Sequence, residues 1–443
     1  MVYEDVLKRV ESDGIKFIYL QFPDMFGTVK NVTIPVEKLP EALERGIWFD
    51  GSSIEGFVRI HESDLFLKPD IKTYAVIPWE EREEKTARLI CDVFRPDGKP
   101  FEGDPRHILK KAISEINAMG LEYYVGPELE FFIFRKENGN IIPVTHDKAG
   151  YFDFSSDLAT NIRKDMTLSM EKMGISIEAS HHEVAWGQHE IDFRYGKAVE
   201  TADNAITFKF IVKAIAAKHG LYATFMPKPI QGINGSGMHV HQSLFDIKTE
   251  KNVFFDNKDK YRLSGTAYSF IAGQMKHIKG MSAILSPTVN SYKRLVPGYE
   301  AACYISWAQV NRSALIRIPR YSPGREDSTR CELRCPDPSC NPYLAFAVML
   351  KAGIDGMKKG LNPPEPVEEN VYEFNDSKLA EKNIDILPFS LLGAVKEMKK
   401  NEIVKETLGY YLFSKYIDAK MEEWDSFRIS VTDWESKRYL ETT

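Results

Sequence analysis

The chain has 443 residues, 43% hydrophobic and 28% charged, the composition of an ordinary folded protein with room for more than one core. Its 58 basic and 64 acidic residues give a net charge of -6, which argues against nucleic acid as the main partner, because phosphate backbones want a basic stripe. The charged start MVYEDVLKRVESDG lacks an apolar run of signal-peptide length, and no stretch of about 18 apolar residues is present to span a membrane.

In chain order, KFIYLQF (16–22), YAVIP (74–78) and ARLICDVF (87–94) read as strands. The turn-forming RPDGKPFEGD (95–104) divides a first domain, 1–103, from a second, 104–443. A helix then follows, with Asp104 as N-cap and Pro105 at the first position. Ile108, Leu109, Ala112, Ile113 and Ile116 form its apolar face, and Gly120 stops it. Helices are expected over 157–173 and 202–219, and strands over 128–134, 188–194, 238–244 and 329–334. The last hundred residues read as mainly helical, with a loop at Pro363, Pro364 and Pro366. Cys331, Cys335 and Cys340 cluster but lack Cys-x-x-Cys spacing, so they read as packing in a reducing cytoplasm.

The chemistry lies in a period-two pattern of charge, because side chains two apart on a strand share a face. Glu128 and Glu130 share one face of GPELEFFIF. His239, His241 and Ser243 share one of MHVHQSLF, and Arg330, Glu332 and Arg334 one of TRCELR. Glu183 and Glu190 flank a turn at Gly187. Any one of these faces could simply be solvated. If they meet in one cleft, their carboxylates repel unless divalent cations sit among them, with arginines gripping phosphate or carboxylate. That combination suggests metal-assisted phosphoryl transfer. No P-loop is present, the glycines of GINGSGMH lack dinucleotide spacing, and Trp186 breaks the zincin pattern that His182 and Glu183 begin.

Together these segments resemble the type I glutamine synthetase family: FDGSSIEGF (49–57), GPELEFF (126–132), HHEVAWGQHE (181–190), ATFMPKP (223–229), NGSGMH (234–239), NSYKRLVPGYEA (290–301), NRSALIRIP (311–319) and CNPYLA (340–345). The resemblance implies an α+β protein, with a small N-terminal β-grasp domain and a large catalytic domain built on a curved, mostly antiparallel sheet. It implies ATP-dependent ligation of ammonia to L-glutamate through γ-glutamyl phosphate. It also implies a double-ring dodecamer with active sites between adjacent subunits, and leaves room for a small regulatory protein. Two Mg²⁺ or Mn²⁺ ions are expected, one on Glu130, Glu183 and Glu190 and one on Glu128, His239 and Glu332; the imidazole tilts the second toward Mn²⁺. Glu178, His241, Ser243, Arg317 and Arg330 match nucleotide positions. Asn234, Gly235, Arg294 and Arg334 match glutamate positions, with Arg294 the α-carboxylate clamp. Arg312 matches the residue that neutralises the phosphoryl group. Asp50 matches the residue that deprotonates ammonium from the neighbouring subunit, and Glu300 the glutamate of a closing flap. By themselves, Asp50 reads as a turn residue before Gly51 and Glu300 as a solvated loop carboxylate.

There are departures. Ala301-Ala302 stands where the family usually has Ala-Pro, so a looser flap is expected. The loop YSPGREDST (321–329) has the archaeal form and lacks a lysine that some members carry near the nucleotide. Tyr372 lies near a tyrosine adenylylated in one subgroup, but its flanks differ and no adenylylation is expected. Arg59 matches the regulatory arginine of the feedback-inhibited subgroup. The rival readings are a ligase for another amine, a non-catalytic assembly protein and a dinuclear metal hydrolase.

Overall fold

The computed structural model describes residues 3–54, 64–80, 83–299, 301–320 and 322–443. Its first part is a five-stranded sheet, β1 (Ile15–Pro23), β2 (Val29–Pro35), β3 (Ile47–Asp50), β4 (Asp64–Val76) and β5 (Lys85–Phe94), in the order β2-β1-β5-β4-β3. Alternate residues of β1, namely Ile18, Leu20 and Phe22, are buried beneath the helix Tyr3–Ser12, which contributes Val6 and Val10. β4 is much longer than the expected 74–78. It pairs with β5 from Phe66 through Pro69 and Asp70, and a register shift follows before Ala75.

The second part is an eleven-stranded sheet centred on the long strand β6 (Leu121–Glu137). Around it lie β7 (Asn140–Thr145), β8 (Ile177–His182), β9 (Gln188–Phe193), β10 (Gly196–Lys197), β11 (Leu221–Thr224) and β12 (Met238–Asp246). The sheet is completed by β13 (Tyr304–Ala308), β14 (Ala314–Arg317), β15 (Cys331–Leu333) and β16 (Asp385–Ile386). The path runs β16-β13-β14-β15-β12-β6-β9-β8, antiparallel except between β13 and β14. The apolar side of β6, with Leu129, Phe131 and Ile133 fully buried, faces the main core, against which the helices Pro105–Ala118 and Ala198–Lys218 pack.

The helix after Asp104 begins where its sequence places it, with Asp104 Oδ1 accepting from the Arg106 amide at 2.9 Å. The helix expected over 157–173 starts only at Thr160, because the Asp157 carboxylate accepts from the Ala159 amide and binds Arg163 instead of entering the helix. After Pro342 the chain is mainly helical, ending in Glu402–Arg428, interrupted at Gly409, and Asp433–Tyr439. All five cysteines are buried and unpaired. Burial pushes the Cys331, Cys335 and Cys340 thiols up to about 12, so they behave as apolar packing.

The two sheets are joined through Arg106, whose side chain is 2% exposed. Its guanidinium donates to Asp70 (2.8 Å) and Asp92 (2.8 Å) of the first sheet and, from two nitrogens, to Asp203 (3.0 and 2.9 Å) of the helix Ala198–Lys218. The Tyr343 hydroxyl closes the set on Asp203 at 2.6 Å. Replacing Arg106 by Met would keep the stem but leave Asp203 buried without its cation, a loss of about 3–5 kcal/mol. Chemical denaturation should show this, and Arg106→Lys should rescue little because an ammonium cannot reproduce the planar fork. A wild-type midpoint in Arg106→Met would refute the joint's importance.

Candidate active site

Strand register assembles the site. On the polar side of the second sheet, β6 sets Glu128 opposite Asp192 and Glu130 opposite Glu190 of β9. On its other edge Glu128 pairs with His239 of β12, and His241 of β12 pairs with Glu332 of β15. Like charges directly across a ladder repel. Two of the carboxyls are also withdrawn from water, Glu332 at 0% exposure and Glu190 at 7%, and Glu130 is half-buried beside them.

These environments split the carboxyls into two classes. Burial, reinforced by Glu183, raises Glu130, and burial with Glu130 opposite raises Glu190 further. Burial would also raise Glu128, but His241 and His239 hold it well below the usual carboxylate range. Glu332 is buried too, yet His241 and Arg334 bring it down to about 2. His239, buried and close to Arg334, drops to about 4 and so stays neutral, with a lone pair to offer. Its Nδ1 lies 3.3 Å from Glu128, and His241 Nε2 lies 2.7 Å from the other oxygen of Glu128.

Two groups of side chains bring ligand atoms within 4.8 Å of one another: Glu128, His239 and Glu332, and His181, Glu183 and Glu190. Glu130 stands beside the second group, its Oε2 accepting from Gln188 Nε2 (2.8 Å) and the Gly237 amide (2.9 Å). His181 was not singled out in the sequence, although it stands two residues before Glu183, the same spacing that marked the other pairs. The turn between Glu183 and Gln188 needs Gly187, which has φ +65° and would drive a Cβ to within 2.7 Å of Thr145.

A third group, His146, Asp147 and His189, lies behind β9 and has a different character. Arg163 donates to His189 Nδ1 at 2.9 Å, which keeps the neutral ring's proton on Nε2 and disfavours metal ligation there. Asp147 Oδ1 accepts from His182 Nε2 (3.0 Å) and from the Gly187 amide (3.1 Å). This buried network therefore fixes the turn that presents Glu183 and Glu190.

Two cavities open on the polar face. The larger, about 790 Å³, is bordered by Glu128, Glu130, Glu183, Glu190, His239 and Glu332, and by Asn234, Gly235, Arg294, Arg312, Arg317 and Arg334. Arg317 and Arg334 both bind Glu332. Arg294, 3% exposed, donates to the carbonyls of Cys335 (2.9 Å), Pro336 (3.2 Å) and Arg334 (3.2 Å). A Cβ on Gly235 would meet the Pro227 carbonyl at 2.2 Å, so only glycine fits that bend. The smaller cavity, about 220 Å³, holds Glu178, His241, Ser243 and Arg330, with Tyr124 and Tyr195 in edge contact at 6.1 Å. Arg330 Nε donates to His241 Nδ1 at 3.1 Å. Glu128 and Asp192 border both cavities. Tyr124, Tyr195 and Asp192 had no signal in the sequence, because their placement depends on strand register.

Asp50 borders neither cavity. It is exposed at the end of β3, and its Oδ1 accepts from the Ser52 amide at 2.8 Å. Glu300 and Arg59 lie outside the described residues.

The protein-family model described as "Glutamine synthetase, catalytic domain" matches residues 102–439, and "Glutamine synthetase, beta-Grasp domain" matches 14–96. The chain belongs to the glutamine synthetase family. It is 55% identical over 439 residues to the glutamine synthetase of Clostridium saccharobutylicum, covering 99% of this chain and 98% of that one. It is 52% identical over 439 residues to that of Methanosarcina mazei, covering 99% and 97%. Among solved structures, a GmaS/ADP complex superposes with TM-score 0.90 at 29% identity, covering 99% of both chains. Plasmodium falciparum glutamine synthetase superposes with TM-score 0.89 at 26% identity, again covering 99% of both. The chain is an enzyme of α+β fold, with an N-terminal β-grasp domain and a large catalytic domain whose sheet and helices match those structures.

Raised carboxyls bind protons more tightly in the folded than in the unfolded state. With divalent ions chelated, Glu130 and Glu190 should thus lower stability as pH climbs above the ordinary glutamate range of about 4.3. The expected melting temperature in EDTA falls between about pH 5 and about pH 8, and Mn²⁺ or Mg²⁺ restores it most at the upper end. Glu190→Gln should flatten that dependence in differential scanning fluorimetry. An unchanged profile in the variant would count against the assignment.

Proposed function

We propose that the two cavities are halves of one active site, the larger for glutamate and the transferring phosphoryl group, the smaller for the nucleotide. The reaction is the synthesis of glutamine from L-glutamate and ammonia at the expense of ATP, supported by the catalytic-domain match and by full-length likeness to named glutamine synthetases. One observation carries the reading of the site: Glu128 borders both cavities, so a nucleotide in one can present its terminal phosphate among the carboxyls and arginines of the other.

The donor sets fit divalent ions. Glu130, Glu183 and Glu190, with His181 beside them, would hold one; Glu128, neutral His239 and Glu332 would hold the other. Bound there, Mg²⁺ or Mn²⁺ would offset the charge of the phosphate oxygens and orient them. Arg312 faces the same cavity and would neutralise the phosphoryl group in transfer. Arg330, His241, Ser243 and Glu178 would bind the nucleotide, with the Tyr124 and Tyr195 rings available to its base. Arg317 borders the larger cavity, so its contact would be to phosphate rather than to base or ribose.

Asn234, Gly235 and Arg334 would hold glutamate. Arg294 would clamp the α-carboxylate from the N–H groups left after its three carbonyl bonds. The side-chain carboxylate of glutamate attacks the γ-phosphorus, ADP leaves, and γ-glutamyl phosphate forms. Ammonia then displaces phosphate from the acyl carbon. Deprotonation of ammonium is assigned to Asp50 of an adjacent subunit, since Asp50 is exposed and lines neither cavity of its own chain. Phe152, 62% exposed, packs edge-on against His181 at the border of the larger cavity and suits coverage by a second copy in a double-ring dodecamer. Glu300 is assigned to the flap that excludes water.

We place the chain in the feedback-inhibited, non-adenylylated subgroup, on the match of Arg59 and the flanks of Tyr372. Glutamine should inhibit the parent enzyme, and Arg59→Ala should relieve that inhibition; equal sensitivity of parent and variant would refute the role. For the activity itself, phosphate and glutamine should appear one for one with Mg²⁺, ATP, glutamate and ammonium. Turnover only with another amine would move the substrate assignment, and none with any amine would leave an assembly protein.

A further inference from the structure

The loop bearing Asn234 and Gly235 and the segment after Arg294 are tied by a residue outside the ligand sets above. The Lys228 amide donates to Asn290 Oδ1 (2.7 Å), and Asn290 Nδ2 returns a bond to the Lys228 carbonyl (3.0 Å). Asn290 immediately precedes the short helix Ser291–Arg294 and gives its side chain to Lys228 instead of to the helix, so this two-way bond joins the two segments at one point. The Lys228 side chain then spans the gap between them. Its Nζ donates to the Ile233 carbonyl, immediately before Asn234, and sits 3.9 Å from the centroid of the Tyr299 ring. Beyond position 300, the Tyr372 hydroxyl donates to the carbonyl of Ala301 at 2.9 Å. Tyr372 and Tyr299 both border the larger cavity, and Ala301 is 1% exposed.

We propose that Lys228 and Tyr372 are positioning residues, Lys228 holding the chain before position 300 against the glutamate loop and Tyr372 tying the chain after it to the segment Val371–Glu373, and that together they keep water from the acyl phosphate. The inference rests on the glutamine synthetase reading of the site. Lys228 offers one ammonium to a carbonyl of the substrate loop and to an aromatic face of the other segment, so it registers the two against each other. Tyr372 anchors the far side through one hydroxyl. With Ala301-Ala302 in place of the stiffer Ala-Pro, that anchor supplies restraint that a proline would otherwise give.

The consequence is chemical. If the segment loosens, water replaces ammonia at the acyl carbon, phosphate leaves and glutamate is regenerated, so the net reaction is ATP hydrolysis. The test is the ratio of phosphate to glutamine at saturating ammonium, with Mg²⁺, for the full-length assembled enzyme. The parent should give one to one, and that value tests the underlying reading independently. Lys228→Met and Tyr372→Phe should each raise the share of phosphate released without glutamine about fivefold over the parent's residual value, the weight of one cation–π contact or hydrogen bond. Lys228→Arg should recover most of the coupling, and melting temperatures should stay at the parent value. A ratio of one in both variants would overturn the proposal, whether accompanied by a higher KM for glutamate or not. So would a loss of activity that follows a drop in melting temperature, since Tyr372→Phe removes only a hydroxyl and should fold.

Discussion

The structure is organised around a concentration of negative charge that water alone does not relieve. Strand register sets Glu130 against Glu190 and Glu128 against Asp192, on a sheet face that also receives Glu332 from β15. A sheet normally keeps like charges apart. Here they are brought together and partly buried, an arrangement that is stable only if protons, imidazoles, guanidiniums or divalent ions balance it. The chain itself supplies the first three: burial favours the protonated forms of Glu130 and Glu190, His241 lies against Glu128, and Arg317 and Arg334 flank Glu332.

The scaffold holds these groups in place through contacts behind the sheet. Asp147, bonded to His182 and to the Gly187 amide, fixes the turn between Glu183 and Glu190 and so the backbone positions from which the two carboxyls project. Arg294 ties the carbonyls of residues 334–336 beneath the cavity, which sets the direction of Arg334. Arg106 carries the same logic to the junction of the two parts, where one guanidinium binds carboxylates of the first sheet and of the helix Ala198–Lys218. In each case a cation or donor serves carboxylates or carbonyls from distant parts of the chain. Local misplacement would therefore propagate to the site.

Much of this was legible before any coordinates. Charges at i and i+2 in GPELEFFIF and MHVHQSLF announced that Glu128, Glu130, His239 and His241 share a strand face, because alternation is a local property of extended backbone. The N-cap at Asp104 and the helical C-terminal part were equally local. Family resemblance extended the reading to Arg312, Arg317 and Asn234, which carry no periodic signal of their own. Local reasoning went wrong where a residue chose a partner over its predicted element. Asp157 turned to Arg163 and delayed a helix, and pairing with β5 carried β4 back to Asp64, well before the expected start at 74.

The sequence by itself determined the alternating polar faces, the family and so the reaction, because these depend on residue identity and spacing along the chain. Only the tertiary structure decided that Glu130 lies across from Glu190, that His181 joins Glu183, that Asp192 and Glu128 form the wall between two cavities, and that Lys228 bridges two loops. Those facts arise from the register of strands that are far apart in the chain and from side chains meeting across loops. A single strand carries no record of its neighbours' register, because the pairing is fixed by burial of the opposite, apolar face and by turns elsewhere.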